Sequence, residues 1–252
     1  MNSKVSLIAL GLGVYLAAAI VSFPASVAKR WFAPPELALA AVEGTIWHGT
    51  AAYGAINGFG FSGLEWWLHP AALLRGRLSL TAETDLATGF VRANLVAAGN
   101  RLTLTDVRAS ANLRDFRNWL AFGDVSGDVM VALDSLELID GWPTAAIGEV
   151  QVADLLVPPL FPIDGITTIA LGNYRATMIA GDDPGIVALL NDQGGPLELT
   201  GRISLQPDRT YVFDSLIKPR ADAPDILVQG LEIVSGAPNA SGQRKFLQQG
   251  SL

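Results

Sequence analysis

Leu197-Glu198-Leu199-Thr200, continuing through Gly201-Arg202 to Ile203-Ser204-Leu205, sets an apolar side chain at every second position outside its central Gly-Arg pair. Successive side chains of a β-strand point to opposite faces, so such a run belongs to a strand with one dry face and one wet face. A helix would need apolar residues three and four apart. The same period recurs upstream in Leu78-Ser79-Leu80-Thr81-Ala82-Glu83 and Leu102-Thr103-Leu104-Thr105. It returns in Val129-Met130-Val131-Ala132-Leu133-Asp134 and Leu136-Glu137-Leu138. Turn-forming clusters separate the runs: Gly99-Asn100, Gly123-Asp124, Asp182-Asp183-Pro184-Gly185, Asp192-Gln193-Gly194-Gly195-Pro196 and Gln206-Pro207-Asp208. Turns spaced roughly 8–12 residues apart, without strand–helix alternation, predict a mainly β protein. The expectation is a large antiparallel, curved β-sheet with two or three short helices.

Three segments read as those helices. His69-Pro70-Ala71-Ala72-Leu73-Leu74 has proline at a permitted first-turn position. Residues 113–122 place Leu113, Phe116 and Leu120 on one stripe. Asp225–Val234 follows Pro224 and precedes Gly236, a candidate cap. The tail is polar, and Lys245 to Leu247 is either a last strand or a frayed end. Gly76-Arg77-Leu78-Ser79-Leu80, Gly127-Asp128-Val129-Met130-Val131 and Gly201-Arg202-Ile203-Ser204-Leu205 echo one another. Ordinary Gly-started strands explain the echo better than duplication.

The N-terminal segment, residues 5–23, has 19 residues and no charge. That length crosses a hydrocarbon core of about 30 Å as a helix. It reads as a signal-anchor transmembrane helix with a short cytoplasmic start at 1–4. A cleaved signal peptide, with small residues at Ser26-Val27-Ala28, and a buried core helix are the other readings. Lys29 and Arg30 follow the segment, which by charge favours the opposite orientation. Long following domains translocate largely regardless of charge, so the N-in topology is expected. Pro34-Pro35 stops any helix and marks residues 24–37 as a membrane-proximal joint. Residues 38–252 form the exported β-rich domain.

Composition agrees. Half of the 252 residues are apolar, and only 16% are charged against about 25% in an average domain. The excess is spread in short runs, as half-buried strands require. The net charge of −7 and the lack of a Lys/Arg cluster argue against nucleic acid. With no cysteine there is no disulfide, thiolate metal site or cysteine nucleophile.

No catalytic, cofactor-binding or metal-binding residues emerge, and no cofactor is expected. His48 and His69 lie at strand ends, without a second ligand at metal spacing. No G-x-S-x-G elbow occurs, and the Gly-rich stretch 54–63 has no phosphate-loop lysine. Asp134, Glu137 and Asp140, and the pair Asp182-Asp183, are close in sequence. Glycosidase chemistry needs two opposed carboxylates, which proximity in strands and turns does not supply. The tryptophans, Trp47, Trp66-Trp67, Trp119 and Trp142, read either as covered packing or as an interaction surface. Adjacent Trp66 and Trp67 must point to opposite faces.

Val42-Glu43-Gly44-Thr45-Ile46-Trp47-His48-Gly49 is followed by Leu64-Glu65-Trp66-Trp67-Leu68-His69-Pro70 and Leu73-Leu74-Arg75-Gly76-Arg77-Leu78. Later come Asp140-Gly141-Trp142-Pro143 and Asp192-Gln193-Gly194-Gly195-Pro196-Leu197-Glu198-Leu199-Thr200-Gly201. The chain closes on a helix before Gly236-Ala237-Pro238-Asn239 and Gly242. In this order and spacing the stretches resemble the N protein family of the type II (general) secretion pathway, over essentially the whole chain. Gln248-Gln249-Gly250-Ser251-Leu252 departs from it in being more polar than a closing strand. The resemblance implies an accessory, non-enzymatic inner-membrane component of the machine that exports folded proteins from the periplasm of Gram-negative bacteria across the outer membrane. Implied partners are its inner-membrane platform, pseudopilus or secretin elements. A lipid- or hydrophobe-binding sheet is the alternative, motivated by runs apolar on both sides such as Ala145-Ala146-Ile147 and Leu155-Leu156-Val157.

Overall fold

The computed structural model describes residues 11–15, 18–32, 34–117, 124–159, 167–180 and 185–251. Residues 11–15 and 18–21 are helical. No helix among the described residues is long and apolar enough to cross a membrane. Much of the expected 5–23 span lies outside them. The chain divides into two compact units, residues 1–86 and 87–252.

The first unit holds helix α1 (Ala25–Phe32) and strands β1 (Leu37–Gly44), β2 (His48–Ile56) and β3 (Phe59–Leu68). Helix α2 (Pro70–Leu73) and strand β4 (Leu78–Asp85) complete it. The expected joint therefore contains a helix, which ends just before Pro34-Pro35. Each strand pairs antiparallel with the next. Asn57 (φ 49°) and Gly58 (φ 83°) make the tight β2–β3 turn. Two consecutive left-handed residues match the twist of the strands they join, and Asn-Gly adopts them readily. Pro70 opens α2 as expected.

The second unit holds β5 (Phe90–Ala98), β6 (Arg101–Asn112), β7 (Ser126–Ile139), β8 (Trp142–Val157), β9 (Ile169–Ile179), β10 (Ile186–Asp192), β11 (Leu197–Leu205) and β12 (Thr210–Pro219). Helix α3 (Asp225–Val234) and strand β13 (Arg244–Ser251) follow. Consecutive strands pair antiparallel throughout. The sequence runs at 129–138 are one strand, and so are those at 197–205. Residues 113–116 form a 3-10 turn, capped where Asn112 Oδ1 accepts the Arg114 N–H. The rest of the expected 113–122 helix lies outside the described residues.

Alternation in β6 and β7 is not continuous. In β6 the inward residues are Leu102 and Leu104, then Val107, Ala109 and Ala111. In β7 they are Val129, Val131 and Leu133, then Leu136 and Leu138. Each series skips a beat. The pairing shifts to match, from Arg92↔Arg108 to Asn94↔Thr105 and from Leu133↔Gly148 to Ser135↔Ile147. Asp106 (φ 51°) takes up the extra residue in β6. An extra residue normally flips every later side chain, and a bulge absorbs it. Ala93, Val107 and Leu133 thus stay on one face as a buried cluster, with Leu95, Leu104, Val131, Leu136 and Met178 against it.

Helix α3 has the bounds expected from Pro224. A helix this short is marginal in water and is held by what it packs on. Leu227 and Leu231, one turn apart, lie on Leu197, Ile217, Leu199 and Phe246. Its end differs from the expected glycine cap. Ser235 is extended, and its N–H and hydroxyl both bond to the Leu231 carbonyl. The polar tail is a full strand, eight residues paired with β12 without a break. The glycine echo is not structural: Gly76 precedes β4, Gly127 is second in β7, and Gly201 is central in β11.

Candidate functional site

The residues that carry chemistry by type are dispersed. His48 faces Trp67 across β2–β3, with rings stacked at 5.2 Å, and its Nε2 is 3.3 Å from Glu65 Oε1. His69 precedes α2, and its backbone N–H donates to the Ser79 carbonyl at 2.8 Å. Among the described residues no group of His, Asp and Glu could hold a metal. Glu137 pairs with Arg101 (2.9 Å) and Asp134 lies 3.6 Å from Arg108. Asp140 accepts a hydrogen bond from Asn100 at 3.1 Å. Each carboxylate has its own partner, and the three do not converge. Asp182, Asp183 and Trp119 lie outside the described residues.

The tryptophans divide as their positions in the strands require. Trp66 lies against the backbone of Gly49, where a β-carbon would stand 2.4 Å from its ring. Its indole donates to the Ile46 carbonyl at 3.3 Å. Trp67, on the other face, is the one that stacks on His48. Trp47 donates to the Ile20 carbonyl at 2.9 Å. Trp142, in the second unit, donates to the Gln206 carbonyl at 2.9 Å, with Arg209 over its ring at 5.9 Å.

What the second unit does gather is an apolar concavity of about 370 Å³. Val150, Val152 and Leu155 of β8, Leu171 of β9, Leu190 of β10 and Leu199 of β11 line it. The register explains why: Val150 pairs with Ala176, and Val152 with Tyr174. Ala176 in turn pairs with Leu190, so three strands turn apolar side chains the same way. Helix α3 covers Leu197 and Ile217 on the same face. Tyr174 brings a hydroxyl, which donates to the Leu171 carbonyl at 2.9 Å. Burial, then the Asp192 carboxylate, push its pKa up to about 12 against the opposing pull of Arg220. The phenol therefore stays neutral and adds no charge to the wall.

One half-buried polar assembly borders this region. Arg220 donates to Asp192 Oδ2 (2.6 Å), to the Gly195 carbonyl (2.6 Å) and to the Leu197 carbonyl (3.1 Å). Asp192 also accepts the N–H groups of Leu199 (2.9 Å) and Gly194 (3.3 Å). Burial opposes the charge on Asp192. The Arg220 hydrogen bond and the two backbone donors outweigh it and hold the carboxyl below its ordinary range. The assembly clamps the β10–β11 loop at Asp192-Gln193-Gly194-Gly195-Pro196. Sequence reasoning singled out that stretch but not Arg220, which is 28 residues away.

The opposite face carries ion pairs across neighbouring strands: Arg101–Glu137, Arg108–Asp134 and Lys245–Asp214 (3.1 Å). Arg175 Nε, buried and without a hydrogen bond, is 3.7 Å from Glu149.

A family model described as type II secretion system (T2SS), protein N, matches residues 35–246. A protein of Aeromonas hydrophila named type II secretion system protein N is 28% identical over the full length of both chains. One of the same name from Vibrio cholerae serotype O1 is 26% identical over 95% of each. No solved structure matches the chain.

Proposed function

The chain belongs to the type II secretion system protein N family and is an accessory component of that system; from this premise we propose that it is a non-enzymatic, inner-membrane component that works by contact. It is anchored by the helix at 5–23 with its start in the cytoplasm and its sheet units in the periplasm. The apolar length of that segment supports the anchor. Its partners are the platform, pseudopilus or secretin elements. The observation that carries the reading is the family match along 35–246, on a structure in which Asp134, Glu137 and Asp140 are each held by a separate partner.

The test is deletion with complementation and detergent co-purification. Loss of export of folded substrates, with recovery of the chain alongside other secretion components, is expected. Normal export, with a chain always recovered alone, rejects the reading. Cysteines introduced near Asn2 and Ser241 report topology: a membrane-impermeant thiol reagent added from the periplasm should label only the second.

The concavity favours a second reading, a hydrophobe-binding sheet. Its walls offer an alkyl chain contact, whereas an extended peptide there would leave its N–H and C=O groups without partners. Native mass spectrometry of the chain after mild extraction should then show bound lipid, and a lipid-free chain sinks this reading.

A further inference from the structure

The N-terminal segment meets the first unit at one end of its strands. There the Trp47 indole bonds the Ile20 carbonyl, the Ile46 N–H donates to the Phe23 carbonyl at 3.1 Å, and Pro24 bridges Thr45. The helical residues 18–21 are exposed rather than packed on the sheet. The connection from β3 to β4, residues 69–77, leaves from the same end. The Leu68 N–H donates to the Trp47 carbonyl at 2.7 Å, and the His69 N–H closes the other side onto Ser79. After α2 the Gly76 N–H donates to the Leu73 carbonyl at 3.0 Å and the Arg77 N–H to the Ala72 carbonyl at 3.1 Å. That pair of bonds ends a helix on a left-handed residue, which Gly76 (φ 66°) supplies. The turn therefore holds out its side chains without leaving these backbone groups bare. Leu74 is 91% exposed, and Leu73 and Leu78 are exposed beside it. Arg75 and Arg77 stand between them, exposed and without an ion pair among the described residues. No carboxylate occurs from Leu68 to Leu80. A single exposed leucine is ordinary, but three on one turn with cations among them mark an interaction site.

We propose that the β3–β4 connection is a second membrane contact: Leu73, Leu74 and Leu78 enter the boundary between headgroups and acyl chains, and Arg75 and Arg77 hold the phosphates of anionic lipids. The inference rests on the anchor reading above, because the anchor brings this end of the unit to the bilayer. Apolar side chains interleaved with cations suit an interfacial element. The leucines gain from leaving water, and the cations gain from the anionic surface. A guanidinium can also meet two phosphate oxygens at once. A folded protein is a poorer occupant. A stable protein interface takes about 20–30 residues a side, and this tip offers three leucines and two arginines. A membrane needs no such area, since the anchor already holds the tip beside it and the second contact is intramolecular. The anchor fixes one point, and the tip adds another, which sets how the first unit stands on the bilayer.

The chain has no cysteine, so Leu74→Cys carries a single thiol for an environment-sensitive fluorophore. The full chain is reconstituted in vesicles of phosphatidylcholine, with or without phosphatidylglycerol. In the anionic vesicles the Leu74→Cys label should be quenched by nitroxide-bearing lipid and shielded from iodide. A label at Ile56→Cys, exposed at the far end of β2 and about 26 Å from His48, should show the reverse. Adding Arg75→Gln and Arg77→Gln to the labelled chain should lower the ratio of immersed to exposed label by about fivefold for each cation removed. Omitting phosphatidylglycerol should have a comparable effect. Circular dichroism reports whether each variant is folded, and alkaline carbonate extraction reads the anchor separately. A retained chain whose Leu74→Cys label stays open to iodide overturns the proposal and leaves the anchor standing. So does a label shielded only after other secretion components are added. A folded double-glutamine chain whose ratio matches the parent's overturns the role given to the arginines. A chain released by carbonate whose label still meets lipid rejects the anchor and keeps the tip, and one released with its label open to iodide removes both.

Discussion

The two faces of the second unit share the same strands and the same register, yet they do different work. Val131 and Met130 are neighbours in β7. Val131 packs on the Ala93–Val107–Leu133 cluster, while Met130 is 55% exposed among the charged residues of the other side. Apolar burial scales with area removed from water, so one face carries most of the stability. The other carries ion pairs that water screens. They favour the native cross-strand neighbours over like-charged ones and so help to hold the register. The difference teaches that in a half-wet sheet the energetic consequence of a residue follows its parity along the strand more than its type.

The largest break of this contrast is Val131→Lys. A cation placed against the cluster has no partner there and is costly to bury, so the unit should unfold or lose several kcal/mol. The same substitution one residue earlier, Met130→Lys, should stay within about 0.5 kcal/mol. Denaturant unfolding of both variants measures the gap, and equal effects would dissolve the distinction between the faces. Leu133→Ala, at the centre of the cluster, should cost about 2–4 kcal/mol in the same assay.

Asp192→Asn comes next and sharpens the contrast, because it tests a half-buried, multiply hydrogen-bonded charge rather than an exposed pair. Loss of the charge-assisted bonds to Arg220 and the backbone should cost about 1.5–3 kcal/mol near neutral pH. The folded carboxyl has its pKa lowered. Its stabilisation is therefore present above the unfolded value, near 4, and is lost as pH falls through the folded value. The difference in unfolding midpoint between wild type and Asp192→Asn should shrink below about pH 4, and a constant difference down to acid pH would refute the linkage. The smallest effect is Glu137→Gln on the charged face. Breaking its 2.9 Å contact with Arg101 should cost under about 1 kcal/mol and less still in high salt.

Much of this architecture is legible along the chain. Alternation names β4, β7 and β11 directly. Pro224 with an apolar stripe names α3, because helix starts have local grammar. The skipped beats in β6 and β7 are harder to interpret. Seen alone, Leu104 followed by Val107 reads as two strands or a broken one. Only the partner strand shows that Asp106 absorbs the extra residue. The tail misleads in the opposite sense: Gln248 and Gln249 look like a frayed end, and they pair because β12 supplies a complete ladder. The clamp on the β10–β11 loop was half visible, since its turn residues are contiguous and its cation is not.

The sequence by itself determined the class of structure, the helices α2 and α3 and the family, because period, turn chemistry and motif order are properties of neighbours along the chain. The tertiary structure alone decided which side chains meet: Arg220 with Asp192, His48 with Trp67 and Glu65, and the valines and leucines of four strands around one concavity. Strand pairing joins residues far apart in sequence, and only the partner strand shows where a bulge keeps later side chains on the face that an extra residue would otherwise flip.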